Sequence, residues 1–166
     1  MLEPVLPLGL TIVVDVAAWG VFHAATGYAA HRLDDRRLAR DGWLLRLRPF
    51  EAGGGWYRRH LRIGRWKDRL PEAGALFAGG VSKRRVPAYD EASLRLFARE
   101  TRRAELAHWW AMWCSPLFLL WNPPLPAVLL LAYGVAVNLP FIAIQRYNRA
   151  RITALLSRRA GRGAPR

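Results

Sequence analysis

Polar and apolar positions alternate in long blocks along this chain, not residue by residue. Residues 4–30 carry one charge, Asp15, in an otherwise apolar run. At about 1.5 Å per helical residue such a run can cross a hydrocarbon core of roughly 30 Å. Residues 106–121 and 125–145 contain no Asp, Glu, Lys or Arg, and only Asn122-Pro123-Pro124 separates them. A break that short predicts a helical hairpin. The 16 residues of the segment 106–121 are few for a full span. Either the amphipathic residues before it lengthen it or the pair is re-entrant. The expected fold is an all-α integral membrane protein. It has about three membrane-embedded helices, one N-terminal and two in the hairpin. Residues 31–105 form a basic segment between them, and 146–166 form a basic tail frayed over 158–166. The whole is read as one membrane domain.

Residues 90–113 predict one helix, with Asp90 as its N-cap. At about 100° per residue, Leu94, Phe97, Thr101, Glu105, His108 and Met112 fall on one stripe. On the last helix Gly134, Asn138, Ile142, Gln145 and Arg149 share a face, allowing for distortion at Pro140. If the two helices run antiparallel from the turn at 122–124, His108 lies level with Asn138 and Thr101 with Gln145. Polar groups inside membranes are expected to face protein partners.

Charge adds topology to this picture. The chain has 26 Lys+Arg against 12 Asp+Glu, a net +14. Residues 31–105 hold 19 basic and 10 acidic residues, and 146–166 hold seven Arg and no acid. The positive-inside rule places both blocks in the cytoplasm and the N-terminus outside, in a multi-pass protein of the cell membrane. Anionic headgroups and topology account for the basic excess, so no nucleic-acid partner is called for. With the first Arg at Arg32, the first apolar run reads as a permanent span, not a cleaved leader. A 52% apolar composition excludes a disordered chain, and the single Cys114 excludes a disulfide scaffold.

Glycines 53–55 break regular structure, and residues 56–70 interleave aromatics with arginines. This suits either a segment in the headgroup layer or a solvated basic face. Gly79-Gly80 and Pro87 mark loops. The basic groups of 58–69 and 83–85 are candidates for phosphates of a donor or of lipids. There is no GxSxG elbow, no Walker loop, no GxGxxG, no HxxxxD string and no Cys/His metal spacing.

Glu105 and His108 are spaced i, i+3 and are neighbours on a helix. They make either an acid/base pair at the membrane surface or a polar clamp between helices. Asp15 reads as structural, paired with an Arg or His of another helix or set near the outer interface. His23 reads as a satisfied polar residue and His60 as part of the basic face. Cys114 points away from His108 and is no nucleophile.

Three stretches carry a family resemblance: FEAGGGWYRRHLRIGRWKDRLPEAG (50–74), ETRRAELAHW (100–109) and NLPFIAIQRYNRARITALL (138–156). They resemble the glycosyl-4,4'-diaponeurosporenoate acyltransferases, bacterial membrane proteins of staphyloxanthin-type carotenoid synthesis. Ala150 stands where the family usually has Pro in its YNRPR string.

The resemblance implies esterification of a fatty acyl group onto the sugar of a glycosylated carotenoid or similar glycolipid. His108, oriented by Glu105, would be the base. Asn138 and Gln145 would hold the hydroxyl or the oxyanion. Trp66, Lys67, Arg103, Arg146, Asn148 and Arg149 would contribute to substrate and donor binding. No bound cofactor or metal is expected, and the donor would be a CoA or acyl-carrier-protein thioester. Membrane lipids, the glycosylated apolar acceptor and other enzymes of the pathway are the expected partners. Two non-enzymatic readings stand beside this one. The first is a membrane adaptor that binds anionic lipid and a partner enzyme. The second is a subunit for transport of a lipid or glycolipid.

Overall fold

The computed structural model describes residues 6–70 and 90–162. Among these, helices and turns account for all regular structure and no strand occurs. The α-helices are α1 (Leu8–His31), α2 (Asp35–Leu38), α3 (Gly55–His60), α4 (Glu91–Trp113) and α5 (Pro124–Arg162). Short 3-10 segments cover Pro49–Gly54, Ile63–Arg65, Lys67–Arg69 and Ser115–Leu120. The expected loops at Gly79-Gly80 and Pro87 and the basic run 83–85 lie outside the described residues. α1 and α5 are long and apolar enough to cross a membrane. The contacts group into two compact units. One is Met1–Arg32 with Leu106–Ile142, and the other is Leu33–Glu105 with Ala143–Arg166. α4 and α5 each contribute a segment to both.

In the first unit, α1 turns most of its aliphatic side chains outward. Leu8, Val13, Val16 and Val21 are all more than 60% exposed. A continuous outward apolar surface of this kind suits lipid, not water. Its inner face is small and aromatic. Trp19 packs on Phe118 and Tyr133 at centroid distances of 5.1 and 5.5 Å. Gly134 is needed here because a Cβ would lie 2.6 Å from Cη2 of Trp19 and would also overlap Ser115 Oγ. Asp15 does not find the expected Arg or His. Its Oδ1 accepts from Trp121 Nε1 at 2.8 Å and from Asn122 Nδ2 at 2.9 Å. Two neutral donors flanking the interhelical turn satisfy the carboxylate.

The segment 106–121 is not one membrane helix. α4 ends at Trp113, and Ser115–Leu120 continues as 3-10 helix. Pro116 explains the stop. Its ring clashes with an α-helical turn before it, and it has no N–H to donate. Ser115 Oγ donates to the Met112 carbonyl at 2.6 Å, and Cys114 N–H is shared between the Trp110 and Ala111 carbonyls. Two, not three, helices among the described residues are therefore long and apolar enough to span.

The second unit gathers the polar loop region around the first half of α4 and the second half of α5. Asp90 caps α4 as expected, its Oδ1 accepting from Ser93 N–H at 2.8 Å. Leu94, Phe97 and Ala98 of α4 pack with Ile152 of α5 in one apolar cluster. Tyr57, Ile63, Ile144 and Tyr147 form a second cluster, joined by Trp56 and Trp66. α5 is helical through Arg162, so the described part of the tail expected to fray, 158–162, is helix. Residues 163–166 lie outside the described residues.

Candidate functional site

Both predicted stripes face inward. Leu94, Phe97, Thr101 and Glu105 are buried on α4, and Gly134, Asn138, Ile142, Gln145 and Arg149 on α5. His108 is half-buried. In the first unit the expected register holds: His108 Nδ1 lies 3.0 Å from Asn138 Oδ1.

This contact assigns the donor role of Nδ1. Asn138 Nδ2 donates to the Gly134 carbonyl at 2.8 Å. A carbonyl oxygen can only accept, so the amide nitrogen faces Gly134 and the amide oxygen faces His108. Nδ1 of the imidazole therefore carries a proton, and in the neutral ring the lone pair falls to Nε2. Phe141 stacks on the ring at 4.7 Å with 10° between planes and holds its orientation. In its neutral form this ring has one tautomer, with Nε2 as the basic nitrogen. It can take a proton from a hydroxyl.

In the second unit a buried charge network surrounds Arg146. Its Nε and Nη2 donate to the two oxygens of Glu51, each at 2.7 Å. Nη1 donates to Glu105 Oε1 at 2.7 Å and to the Leu44 carbonyl at 3.2 Å, and Nη2 also donates to the Arg46 carbonyl at 2.9 Å. All five guanidinium N–H groups are thus committed within the protein. Arg149 is fully buried. Its Nη2 donates to the Leu45 carbonyl at 2.6 Å and pairs with Glu105 Oε2 at 2.6 Å. Asp41 lies 3.9 Å from its Nε. Glu51 also accepts from the Tyr57 hydroxyl and the Arg48 N–H.

These neighbours set the titration of Glu51. Burial alone pushes its carboxyl up. The hydrogen bonds from Arg146, Tyr57 and Arg48 outweigh that, and the net shift is below the ordinary value. Tyr57 moves the other way. Burial and its bond to the Glu51 carboxylate hold its hydroxyl above the ordinary range. Glu51 itself is placed by backbone geometry. It sits in the 3-10 segment Pro49–Gly54, and the chain leaves through Gly53 and Gly54 at φ 64° and 72°. At Gly54 a Cβ would also come within 2.8 Å of the Tyr147 ring, so the position requires glycine twice over.

The other sequence candidates are distributed around this network. Arg103 donates to the Leu33 carbonyl at 3.0 Å, to Asp35 at 2.8 Å and to Glu100 at 3.1 Å. Trp66 Nε1 donates to the Leu61 carbonyl at 2.9 Å, and Lys67 pairs with Asp68. Asn148 is buried. Gln145 is buried with its Oε1 unpartnered among the described residues. Thr101 does not pair with Gln145 but donates back to the Ala98 carbonyl at 2.7 Å.

Tyr57 and Asp41 were not among the sequence candidates, and Glu51 was a position of the family resemblance with no role assigned to it. The available signal was Glu51's isolation, since it is the sole acid between Asp41 and Asp68 in a strongly basic stretch.

Residues 40–158 match the family model for glycosyl-4,4'-diaponeurosporenoate acyltransferase. The chain is 32% identical over 104 residues to a protein of that name from Staphylococcus haemolyticus (strain JCSC1435), covering 62% of this chain and 60% of the relative. It is 26% identical over 125 residues to proteins of the same name from Staphylococcus aureus strains bovine RF122 / ET3-1 and USA300, covering 75% of each chain. No solved structure matches it. The family match contains both the His108–Asn138 contact and the Arg146 network, and the chain belongs to the glycosyl-4,4'-diaponeurosporenoate acyltransferase family.

Proposed function

We propose that this chain is a membrane acyltransferase that esterifies a fatty acyl group onto a sugar hydroxyl of a glycosylated carotenoid or similar apolar glycoside. The observation that carries the reading is the fixed tautomer of His108. Nε2 takes the proton of the attacking hydroxyl as its oxygen bonds to the thioester carbonyl carbon. The tetrahedral intermediate then collapses, the C–S bond breaks, and the proton leaves Nε2 for the departing thiolate. Ester and free thiol are the products, and no redox partner is needed.

Asn138 acts as a positioning residue for this base. Glu105, which the i, i+3 spacing pairs with His108 in the sequence, engages Arg146 and Arg149 and so belongs to the charge network of the second unit. Gln145, Asn148, Trp66 and Lys67 remain the sequence candidates for substrate and donor binding, whereas Arg149 and Arg103 are engaged within the protein. Arg146, with its donors committed, holds the loop 44–51 to α5. The donor is a CoA or acyl-carrier-protein thioester. The outward apolar faces of α1 and α5 keep the protein in the cell membrane, where an apolar acceptor resides. The positive-inside rule puts the basic regions in the cytoplasm and the N-terminus outside.

The test is acyl transfer by the full chain in detergent, with a radiolabelled fatty acyl thioester and a glycosylated carotenoid carboxylate. The His108→Ala protein, matched for folding by circular dichroism, is expected to lose activity by about 10²–10⁴-fold. Wild-type turnover in a correctly folded His108→Ala protein would remove the assignment.

A further inference from the structure

A groove of about 430 Å³ opens in the second unit between the segment Arg46–Gly53 and the face of α5 that carries Ala150, Thr153, Ala154 and Ser157. It lies within the size range of small-molecule sites, about 300–1,000 Å³. Ala150, Thr153, Ala154 and Ser157 follow i, i+3, i+4, i+7 spacing, so one face of the helix lines the groove with small side chains and two hydroxyls.

The opposite wall is basic. Along 45–48 burial alternates: Leu45 is buried, Arg46 exposed, Leu47 half-buried and Arg48 exposed. Arg46 and Arg48 both line the groove. Neither side chain has an ion-pair partner among the described residues. Their backbones are nevertheless fixed. The Arg46 carbonyl accepts from Arg146, and the Arg48 N–H donates to Glu51. Two arginines on an anchored backbone, their side chains without an ion-pair partner among the described residues, suit a phosphate, which guanidinium groups bind in forked geometry.

The arginines assigned to phosphate from sequence are less available. Arg146 has all its donors committed, and Arg103 donates to Leu33, Asp35 and Glu100. Between the arginines and α5 the lining is Leu47, Pro49, Ala52 and Ala150. That stretch of the lining is apolar.

We propose that this groove binds the phosphate-bearing arm of the acyl donor, with the phosphate on Arg46 and Arg48 and the slender thioester arm along α5. This rests on the acyl-transfer reading and names the donor side of the same reaction. A phospholipid headgroup offers the same phosphate chemistry. The small side chains and two hydroxyls of the α5 wall favour the donor arm.

The experiment compares palmitoyl-CoA with the palmitoyl thioester of N-acetylcysteamine, which has no phosphate, on the full chain in detergent. In Arg46→Gln/Arg48→Gln the ratio of kcat/KM for the CoA donor to that for the truncated donor is expected to fall at least tenfold. Ala154→Trp, which fills the groove from the α5 side, is expected to weaken the CoA donor while Arg46 and Arg48 stay intact. An unchanged ratio in the arginine variant overturns the proposal.

Binding of S-hexadecyl-CoA, a thioether that cannot react, is measured alongside in phosphatidylcholine nanodiscs with and without phosphatidylglycerol. Tight wild-type binding that the arginine variant loses supports the site even if no thioester is turned over, and in that case the acyl-transfer reading alone fails. If the variant keeps thioether binding, or loses only retention of phosphatidylglycerol, the groove is not the donor site.

Discussion

Glu51 and Arg146, 95 residues apart, face each other in a bidentate ion pair, with both contacts at 2.7 Å. Glu51 is 1% exposed. Breaking a buried pair costs about 3–5 kcal/mol when the remaining charge has no other partner; Arg146 keeps Glu105, which brings the loss to about 3 kcal/mol or less. Glu51→Ala is expected to lower stability by that order, and Glu51→Gln by less because the amide keeps one acceptor. Denaturant titration of the protein in mild detergent measures both.

The same pair sets an acid limit. The folded-state pKa of Glu51 lies below its ordinary value of 4.5. Its stabilising contribution is therefore fully present above about pH 4.5 and is lost as pH falls through the lower folded value. Wild type should lose stability on acidification below pH 4.5, and Glu51→Gln should flatten that part of the curve. Parallel acid limbs in the two proteins would contradict the assignment.

Asn138 fixes the tautomer of His108, so its replacement should alter the titration of the base as well as its rate. In Asn138→Leu the imidazole loses its acceptor at Nδ1, and the kcat of acyl transfer is expected to fall by about 10²-fold, within the range for general-base catalysis. Asn138→Asp puts a carboxylate beside Nδ1 and should move the acidic limb of the pH–rate profile upward, because a neighbouring negative charge favours the imidazolium. A clamp with no part in catalysis would leave that limb where it is.

Gly134 lets α5 approach Trp19 and Ser115. Gly134→Ala places a Cβ 2.6 Å from the Trp19 ring and is expected to destabilise by about 1–3 kcal/mol through overpacking. Ser115→Ala in the same chain removes one of the two overlaps and should recover part of the loss. Thermal unfolding of the single and double variants gives the comparison.

The inward faces of α4 and α5 were legible in the sequence because 3.6-residue periodicity is a local property. Leu94, Phe97, Thr101 and Glu105 could be placed on one stripe with no knowledge of their partners. The short turn at 122–124 then fixed which depths meet, and His108 meets Asn138 accordingly. Thr101 and Gln145 do not pair, because a threonine in a helix can return its hydroxyl to its own backbone.

Glu51's role stayed hidden for a different reason. Its partner lies 95 residues away, and two glycines with positive φ turn it inward, which no periodicity encodes. The charge sought for Asp15 was a cation, whereas Trp121 and Asn122 satisfy it as neutral donors. The end of α4 at Trp113 was foreshadowed by Pro116, a signal that the apolar composition of 106–121 masked.

The hydrogen bonds from His108 through Asn138 end on the Gly134 carbonyl. A carboxamide and a backbone carbonyl do not pass protons onward at neutral pH. A proton taken up at Nε2 therefore has no exit along this path and must leave from the nitrogen that received it. In the proposed reaction, hydroxyl and thioester sulfur would have to share one edge of the imidazole. Donor and acceptor would be bound at the same time, and initial rates would follow intersecting, sequential kinetics without an acylated form of the protein.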